Sequence, residues 1–318
     1  MLRRKLLAGA CLGWGLAASS ARANQDVLRI VVPYAAGGQL DGLARVIADA
    51  LRDDFKAVVV ENKPGAAGLI GTRDVLNTAA PSVLLNSQGL VSVPLLQSGA
   101  GYDPFKDFVP VSLVARSPSF LIVHESVPAR TVEELIAYAK ARPEGITAAN
   151  NGINSAGHLH AAWFAKHANI HVVHVPYKGI AETANALASG QVQMQLTTTT
   201  ESLNGFVKIG RVRILAIMSD QKDPVFAPGV PTLSETLPGV STDTWFGLFA
   251  KTGTSPQIIQ KTANAVRALA SSPAMQKKFR PATVSLQSST PEELARLMKR
   301  SSDRYVRIMS DLGIARAT

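Results

Sequence analysis

Apolar residues near the start of the chain change from a strand-like run to helix-like spacing. The run Leu28 to Pro33 is rich in β-branched residues and is followed closely by the pair Gly37-Gly38. The next apolar positions recur at i, i+3, i+4, i+7 and i+8, which predicts an amphipathic helix; they are Leu43, Val46, Ile47, Ala50 and Leu51. The order strand, glycine loop and helix is the beginning of a βαβ unit.

Two further strands follow with a helix between them. Val58 to Val60 is the second strand, Gly68 to Leu76 a short helix and Val83 to Leu85 the third strand. Three strands joined by two crossover helices predict a parallel sheet.

A second unit of the same α/β kind begins near Thr131, which with Glu134 forms a capping box. Its strand candidates are Ile146 to Ala149, Val172 to Val175, Val192 to Leu196 and Val212 to Met218. The runs Val111 to Val114 with Phe120 to Val123 and, later, Trp245 to Ala250 are extended and apolar, and we interpret them as two crossings between the units.

The tail is helical, with a helix start at Pro256 and a capping box made by Thr290 and Glu293. The predicted layout is a discontinuous first domain, residues 24–122 plus 246–318, and a second domain, residues 123–245.

The N-terminus has the three parts of a signal peptide. Basic residues in Met1 to Lys5 precede the apolar stretch Leu6 to Ala18, and Ala21-Arg22-Ala23 is an A-x-A cleavage site. We therefore predict residues 1–23 to be a signal peptide and the mature protein to be periplasmic. Arg3-Arg4 leaves the twin-arginine export route open beside the general one.

Composition narrows the function classes. The single cysteine, Cys11, lies in the predicted leader, so disulfides and thiol chemistry are not expected in the mature chain. Loss of four basic residues with the leader lowers the formal net charge from +10 to +6. The remaining cations are scattered, which argues against nucleic-acid binding and favours the approach of anions.

Several ordered segments resemble the periplasmic receptors of tripartite tricarboxylate transporters, the Bug family. They are Tyr34 to Arg45, Val60 to Gly71, Pro104 to Phe108, Asn154 to Leu159, His174 to Gly179 and Trp245 to Leu248. The resemblance implies a two-domain periplasmic-binding-protein type II fold with a ligand cleft between the domains. It also implies a small carboxylate ligand, no cofactor, a monomer, and delivery to a transporter with one large and one small integral membrane subunit.

The chain departs from the family pattern at two places. Ala80 to Leu85 lacks the Asp-Gly-Tyr-Thr-like stretch that usually precedes the third strand. Gln193 and Thr197 to Thr200 stand where acidic and asparagine residues are common. These departures leave the identity of the ligand open.

The first candidate site is the loop Tyr34-Ala35-Ala36-Gly37-Gly38 with Asp41. A loop from a strand into a helix start presents unpaired backbone N–H groups at the positive end of the helix dipole, which stabilises an anion. Glycines allow close approach and unusual backbone angles. A purely structural turn is the alternative, and we expect Asp41 to shape the loop.

The second candidate site is Asn151 to Ser155, which precedes another helix. Capping of that helix by Ser155 is the alternative to ligand contact. Further candidates lie near strand ends or turns, where α/β sheets bind ligands: Ser87, Gln88, Tyr177, Thr198 and Thr199.

Enzymatic and metal sites have little support in the sequence. His158 and His160 are two apart on a predicted helix and should point to different faces, and no H-E-x-x-H spacing is present. Ser155 with His158 is the one tempting nucleophile pair, but it lacks a G-x-S-x-G elbow. A solute receptor is the preferred hypothesis, and a ligand sensor for a signalling partner and an exported enzyme of similar fold are the alternatives.

Overall fold

The computed structural model describes residues 27–153, 155–219, 221–223, 226–242 and 244–316. The predicted signal peptide, its cleavage site and Cys11 lie outside these residues.

Strands and helices alternate along most of the described chain. The strands are β1 Val27–Val32, β2 Ala57–Asn62, β3 Ser82–Ser87, β4 Phe108–Arg116, β5 Ser119–His124, β6 Ile146–Asn150, β7 Val172–Pro176, β8 Met194–Thr198, β9 Val212–Ile217, β10 Trp245–Lys251 and β11 Ser285–Leu286. The helices are α1 Gln39–Ala50, α2 Leu69–Asn77, α3 Gly89–Leu96, α4 Val132–Lys140, α5 Ala156–Ala168, α6 Ile180–Ala188, α7 Glu201–Lys208, α8 Leu233–Thr236, α9 Pro256–Ala270, α10 Pro273–Phe279 and α11 Pro291–Leu312. Within the described ranges no helix is both long and apolar enough to cross a membrane.

The first sheet has the strand order β11-β4-β10-β3-β1-β2. β1 pairs in parallel with β2 and with β3, as the sequence predicted. β10 runs antiparallel between β3 and β4, with Phe246 opposite Ser87. The carboxyl ends of β1 and β3 therefore meet at one edge of the sheet, which is where the first candidate loop lies.

The second sheet has the order β7-β6-β8-β5-β9. β6 is parallel to both β7 and β8, and β5 is antiparallel to β8 and β9. Two separate α/β sheets agree with the predicted fold class. The strand β8 begins at Met194, two residues after the start at Val192 that the sequence predicted.

The chain passes between the sheets at two places. β4 and β5 are consecutive but belong to different sheets, so the first passage is Ser117-Pro118. The predicted boundary after residue 122 falls inside β5, whose residues all lie in the second sheet. At the second passage, Trp245 already pairs with Arg116 in the first sheet. The domain limits stay a prediction, and these pairings favour placing them at residues 117–118 and just before Trp245.

Helices cover both faces of the first sheet. Leu28, Ile30 and Val32 of β1 face a core shared with α1 and α9, while Val31 faces a core shared with α3 and α11. Burial on both faces is typical of parallel strands and explains the continuous apolar run of β1.

The C-terminal helix α11 belongs to both halves of the molecule. Leu294 and Leu297 pack into the first half beside Trp245. About two turns further along the helix, Tyr305 and Ile308 pack into the core of the second half. This helix therefore joins the two halves in addition to the two chain passages.

Candidate ligand-binding site

The loop after β1 exposes its backbone at the N-terminus of α1. Ala35, Ala36, Gly37 and Gly38 are all exposed, and Gly38 is the N-cap residue with no side chain to bond the first-turn amides. Gly37 has φ of +82°, a left-handed conformation that favours glycine, whereas Gly38 is extended with φ of −81°. Amides at this helix start can therefore donate to an anion. Of the two glycines, only Gly37 has a backbone conformation that favours glycine.

Asp41 shapes this loop, as the sequence indicated. Its carboxylate accepts a 3.0 Å hydrogen bond from the Gly37 amide and two 3.0 Å bonds from the Arg45 guanidinium. Burial of the carboxyl alone would raise its pKa, but these hydrogen bonds outweigh burial and lower the pKa below its usual value. The charged carboxylate thus fixes the turn from within the loop.

Tyr34 is held from three directions. Its hydroxyl lies 3.0 Å from Ser87 Oγ and donates to Asn86 Oδ1 at 3.2 Å, and its carbonyl accepts from Asn62 Nδ2 at 3.1 Å. Burial raises the pKa of the Tyr34 phenol above its usual value, because its effect is larger than the opposing effect of the Ser87 hydrogen bond. A neutral Tyr34 therefore joins the loop after β1 to the end of β3.

The segment Gly65 to Gly68 is a part of the site that the sequence analysis did not select. Its four residues have positive φ values of 129°, 47°, 55° and 95°, an unusual run that includes Ala66 and Ala67. A Cβ on Gly68 would lie 3.4 Å from the Tyr34 hydroxyl, and one on Gly71 would lie 2.8 Å from Pro33 Cα. Since non-glycine residues at positive φ cluster at ligand clamps, this run beside Tyr34 is a further candidate contact. The glycine spacing in Gly65-Ala66-Ala67-Gly68 was the available signal.

Ser87 and Gln88, both predicted site residues, have different surroundings. Ser87 is half-buried, and its Oγ contacts Tyr34 and accepts from the Gly89 amide at 3.2 Å. Gln88 is buried, its Oε1 accepts from the Trp245 amide at 3.4 Å, and its side chain reaches Tyr305. The structure therefore brings Ser87 to the Tyr34 loop and packs Gln88 toward the inside of the molecule.

The second candidate site is the loop that follows β6. Asn151 is exposed, Gly152 has φ of +105°, and Ile153 is 64% exposed. Ser155 is the N-cap of α5 and accepts from the His158 amide at 3.2 Å. The predicted capping role is thus present, and the half-buried hydroxyl sits at a second exposed helix start.

Asn150, the last residue of β6, is a second residue that the sequence analysis missed. Its Oδ1 accepts from the Gly152 amide at 3.0 Å, and its carbonyl accepts from the Tyr177 amide at 2.9 Å. Its Nδ2 is buried and has no hydrogen-bond partner among the described residues. A buried donor without an acceptor is costly, which makes Asn150 a candidate ligand donor. Tyr177, a predicted contact, follows β7 and is half-buried.

Thr198 ends β8 and Thr199 follows it, and the side chain of Thr199 is bonded within the protein. The side chain of Thr199 is fully buried, and its hydroxyl is hydrogen-bonded to that of Thr283. Thr198 is half-buried and pairs with Ser119. Of the two, Thr198 keeps the more accessible side chain.

The histidines divide between two environments. The His158 ring lies 4.6 Å from that of His174, whereas His160 is buried 6.4 Å from the Tyr305 ring. His158 and His160 thus point in different directions, as their spacing predicted. Over the described ranges there is no group of three or more His, Cys, Asp or Glu side chains that could hold a metal ion.

The family model for the tripartite tricarboxylate transporter family receptor, TctC, matches residues 43–314. The chain belongs to this family. The match spans both sheets and all of α11, so the family assignment covers the whole described architecture apart from β1 and the start of α1.

Relatives and solved structures agree with the family. BugT of Bordetella pertussis is 30% identical over 292 residues, covering 90% of this chain and 89% of BugT. The Rhodopseudomonas palustris protein Rpa4515, solved with adipate, has a TM-score of 0.81 and 29% identity, covering 91% of this chain and 97% of that one. MatC from the same organism, solved with malate, has a TM-score of 0.75 and 26% identity, covering 89% and 98%.

The TctC-family receptor therefore has the two-domain fold of periplasmic solute-binding proteins, as the sequence resemblance implied. The receptor hypothesis is confirmed at the level of the family. Neither the sensor nor the enzyme alternative gains support from these relatives.

Proposed function

We propose that this receptor binds a small dicarboxylate between its two halves and delivers it to a membrane transporter. One carboxylate would meet the amides of Ala35, Ala36 and Gly38 at the start of α1, since the Gly37 amide donates to Asp41. The other end of the ligand would meet Ser155 and Asn150 across the cleft. The proposed contacts include the remaining candidates Ser87, Asn151, Tyr177 and Thr198.

The observation that carries this proposal is the uncapped, exposed start of α1. Gly38 has no side chain that could accept from the first-turn amides. The loop before it is fixed by the hydrogen bond from the Gly37 amide to the Asp41 carboxylate. Free amides at the positive end of a helix dipole are selective for anions over neutral molecules. Binding through backbone amides also explains why the sequence shows no clustered cations at the site.

Two neighbours support the choice of a dicarboxylate. Rpa4515 was solved with adipate and MatC with malate, and both share this fold over most of their length. The two ligands have a carboxylate at each end, as a site with two opposed helix starts requires. Adipate and malate differ in length, and the length of the ligand that this chain binds is left open by the proposal.

The partner of the loaded receptor would be a transporter with one large and one small integral membrane subunit. We propose that the chain acts as a monomer, without cofactor, and that it returns its ligand unchanged. The hydroxyl of Ser155, the tempting nucleophile, accepts a capping bond from the His158 amide. We also propose that the mature chain begins near Asn24.

Thermal shift with matched acids and amides tests the ligand class. Adipate and malate are compared with their diamides, which keep the length and polarity but lose the charge. A ligand at a hundred times its Kd adds about 2.7 kcal/mol to stability. We expect at least one diacid to raise the melting temperature and its diamide to have no effect.

Equal shifts with acid and diamide would show that the helix starts do not select an anion. Native mass spectrometry of the purified protein covers ligands outside the panel, because a co-purified mass identifies the class directly. A co-purified neutral sugar or a cationic amine would overturn the dicarboxylate assignment.

A further inference from the structure

The two halves of the molecule touch beside Gln39, the first residue of α1. The Gln39 side-chain amide nitrogen lies 3.0 Å from the carbonyl oxygen of Ala282 and 3.3 Å from that of Thr199. The same nitrogen lies 3.5 Å from Ser117 Oγ in the first chain passage. One amide group therefore contacts the first half, the second half and the connection between them.

Two other hydrogen bonds join the halves at this place. The hydroxyls of Thr199 and Thr283 are bonded to each other, and Asn204 Nδ2 donates to the Pro281 carbonyl at 2.9 Å. We call Gln39, Thr199, Asn204 and the turn Pro281 to Thr283 the polar flank. Separation of these partners would exchange their hydrogen bonds for bonds to water, so it has a small net cost.

Another contact between the halves, made by α11, is mainly apolar. Tyr305 is 5% exposed and Ile308 is fully buried, and both pack in the core cluster that contains Trp163. Trp163 also donates to Asp311 at 2.9 Å. We call Trp163, Tyr305 and Ile308 the apolar flank. Its separation would expose large apolar side chains to water without compensation.

We propose that the halves open at the polar flank while α11 stays packed as the pivot, and that Gln39 is the positioning residue that couples the ligand loop to this movement. Gln39 directly follows Gly38, so the hydrogen bonds of its side chain tie the loop after β1 to the second half. When the polar flank opens, the loop loses this support. Domain position and loop position are thus linked by one side chain.

Thiol labelling without any ligand tests the proposal, because the predicted mature chain has no cysteine. Thr283→Cys reports on the polar flank, and Ser301→Cys reports on the packing of α11 itself. The two sites are 7% and 8% exposed, and each hydroxyl has a partner, Thr199 or Trp245 Nε1. Well below the melting temperature, we expect Thr283→Cys to react with dithiobis-nitrobenzoate at least tenfold faster than Ser301→Cys.

Substitution of Gln39 provides the decisive comparison. Gln39→Ala should speed labelling at Thr283→Cys about tenfold, and Gln39→Glu should speed it further, because a carboxylate would face the carbonyls of Thr199 and Ala282. Labelling at Ser301→Cys should not change in either background. A residue with a merely structural role would alter both reporters through global unfolding.

Equal labelling at the two reporters, or equal acceleration of both by Gln39→Ala, would overturn the proposal. If Thr283→Cys does not fold, Thr199→Cys takes its place, since Thr199 is the buried partner on the other side of the same flank. The assay contains no ligand, so its outcome is independent of whether the ligand is a dicarboxylate.

Discussion

The hydroxyls of Tyr34 and Ser87 lie 3.0 Å apart and join the loop that follows β1 to the last residue of the neighbouring parallel strand β3. Gly89 makes room for this contact, because a Cβ there would lie 2.9 Å from the Tyr34 hydroxyl. The position of the exposed amides after β1 is therefore set by a hydrogen bond to β3.

Tyr34→Phe should weaken ligand binding. Loss of the hydroxyl leaves Ser87 and Asn86 without their shared partner, which should cost about 1 to 2 kcal/mol of stability and loosen the loop. Tyr102→Phe is the matched control, since the Tyr102 hydroxyl donates to the Leu90 carbonyl of α3 at 3.0 Å and not to the loop after β1. Calorimetric titration and thermal melting should separate the two: both variants lose stability, but only Tyr34→Phe loses affinity.

Gly37→Ala should be more harmful than Gly38→Ala. Alanine at the left-handed φ of Gly37 costs about 1 to 2 kcal/mol. At Gly38 a Cβ has space, with its nearest contact 3.6 Å away at the Ala35 carbonyl. The affinity of both variants is measured for the diacid that gives the largest thermal shift with the wild-type protein. Equal losses in the two variants would mean that backbone conformation does not limit the loop.

Ser155→Ala should reduce both stability and affinity, whereas Thr131→Ala should reduce stability alone. Each hydroxyl accepts a 3.2 Å hydrogen bond at the N-cap of a helix, so loss of either should cost about 1 kcal/mol. Only Ser155 faces the proposed ligand. Parallel changes in affinity would remove Ser155 from the site.

Stability should fall as the pH is lowered from about 6.5 to about 4. Burial, and to a lesser extent Arg304, lower the pKa of His160 to about 4. Between these pH values the unfolded chain binds a proton that the folded protein does not, so protonation favours unfolding by up to about 3 kcal/mol. Above pH 6.5 this stability is fully present.

Urea denaturation at pH 7 and pH 4.5 measures the effect. His160→Gln should reduce the difference between the two pH values. The remainder should come from His158 and His174, whose pKa values burial also lowers, and from carboxyl groups such as Glu61, whose pKa the hydrogen bond from Arg29 lowers. An unchanged difference in His160→Gln would contradict this account.

Local patterns predicted the parts of this fold that depend on neighbours in sequence. The parallel pairing of β1 with β2 and β3 follows from apolar runs separated by a helix, and Thr290 forms the predicted capping box. Thr131 caps α4, but Glu134 accepts from the Arg130 amide, so the box predicted there is incomplete. Helix α3 was missed because its residues are almost all apolar and Pro94 lies inside it, so no amphipathic spacing is present.

Contacts between distant segments could not be predicted from the sequence. The bond that buries Thr199 against Thr283 and the packing of Gln88 toward Trp245 and Tyr305 depend on how the two halves meet. In the sequence, a threonine after a strand gives the same pattern whether its hydroxyl contacts a ligand or the hydroxyl of another threonine. The same limit applies to Asn150, whose unpaired amide is visible only in three dimensions.

The central position of β10 in the first sheet has a consequence for biosynthesis. β3 and β4 are separated in the sheet by a strand that is made only after the whole second sheet, and the fully buried Trp245 and Phe249 belong to that strand. A nascent chain that ends before Trp245 has two open strand edges and an incomplete core. Such sequence-distant pairing folds slowly and leaves aggregation-prone intermediates. The order of elements thus delays completion of the first half until synthesis is nearly finished.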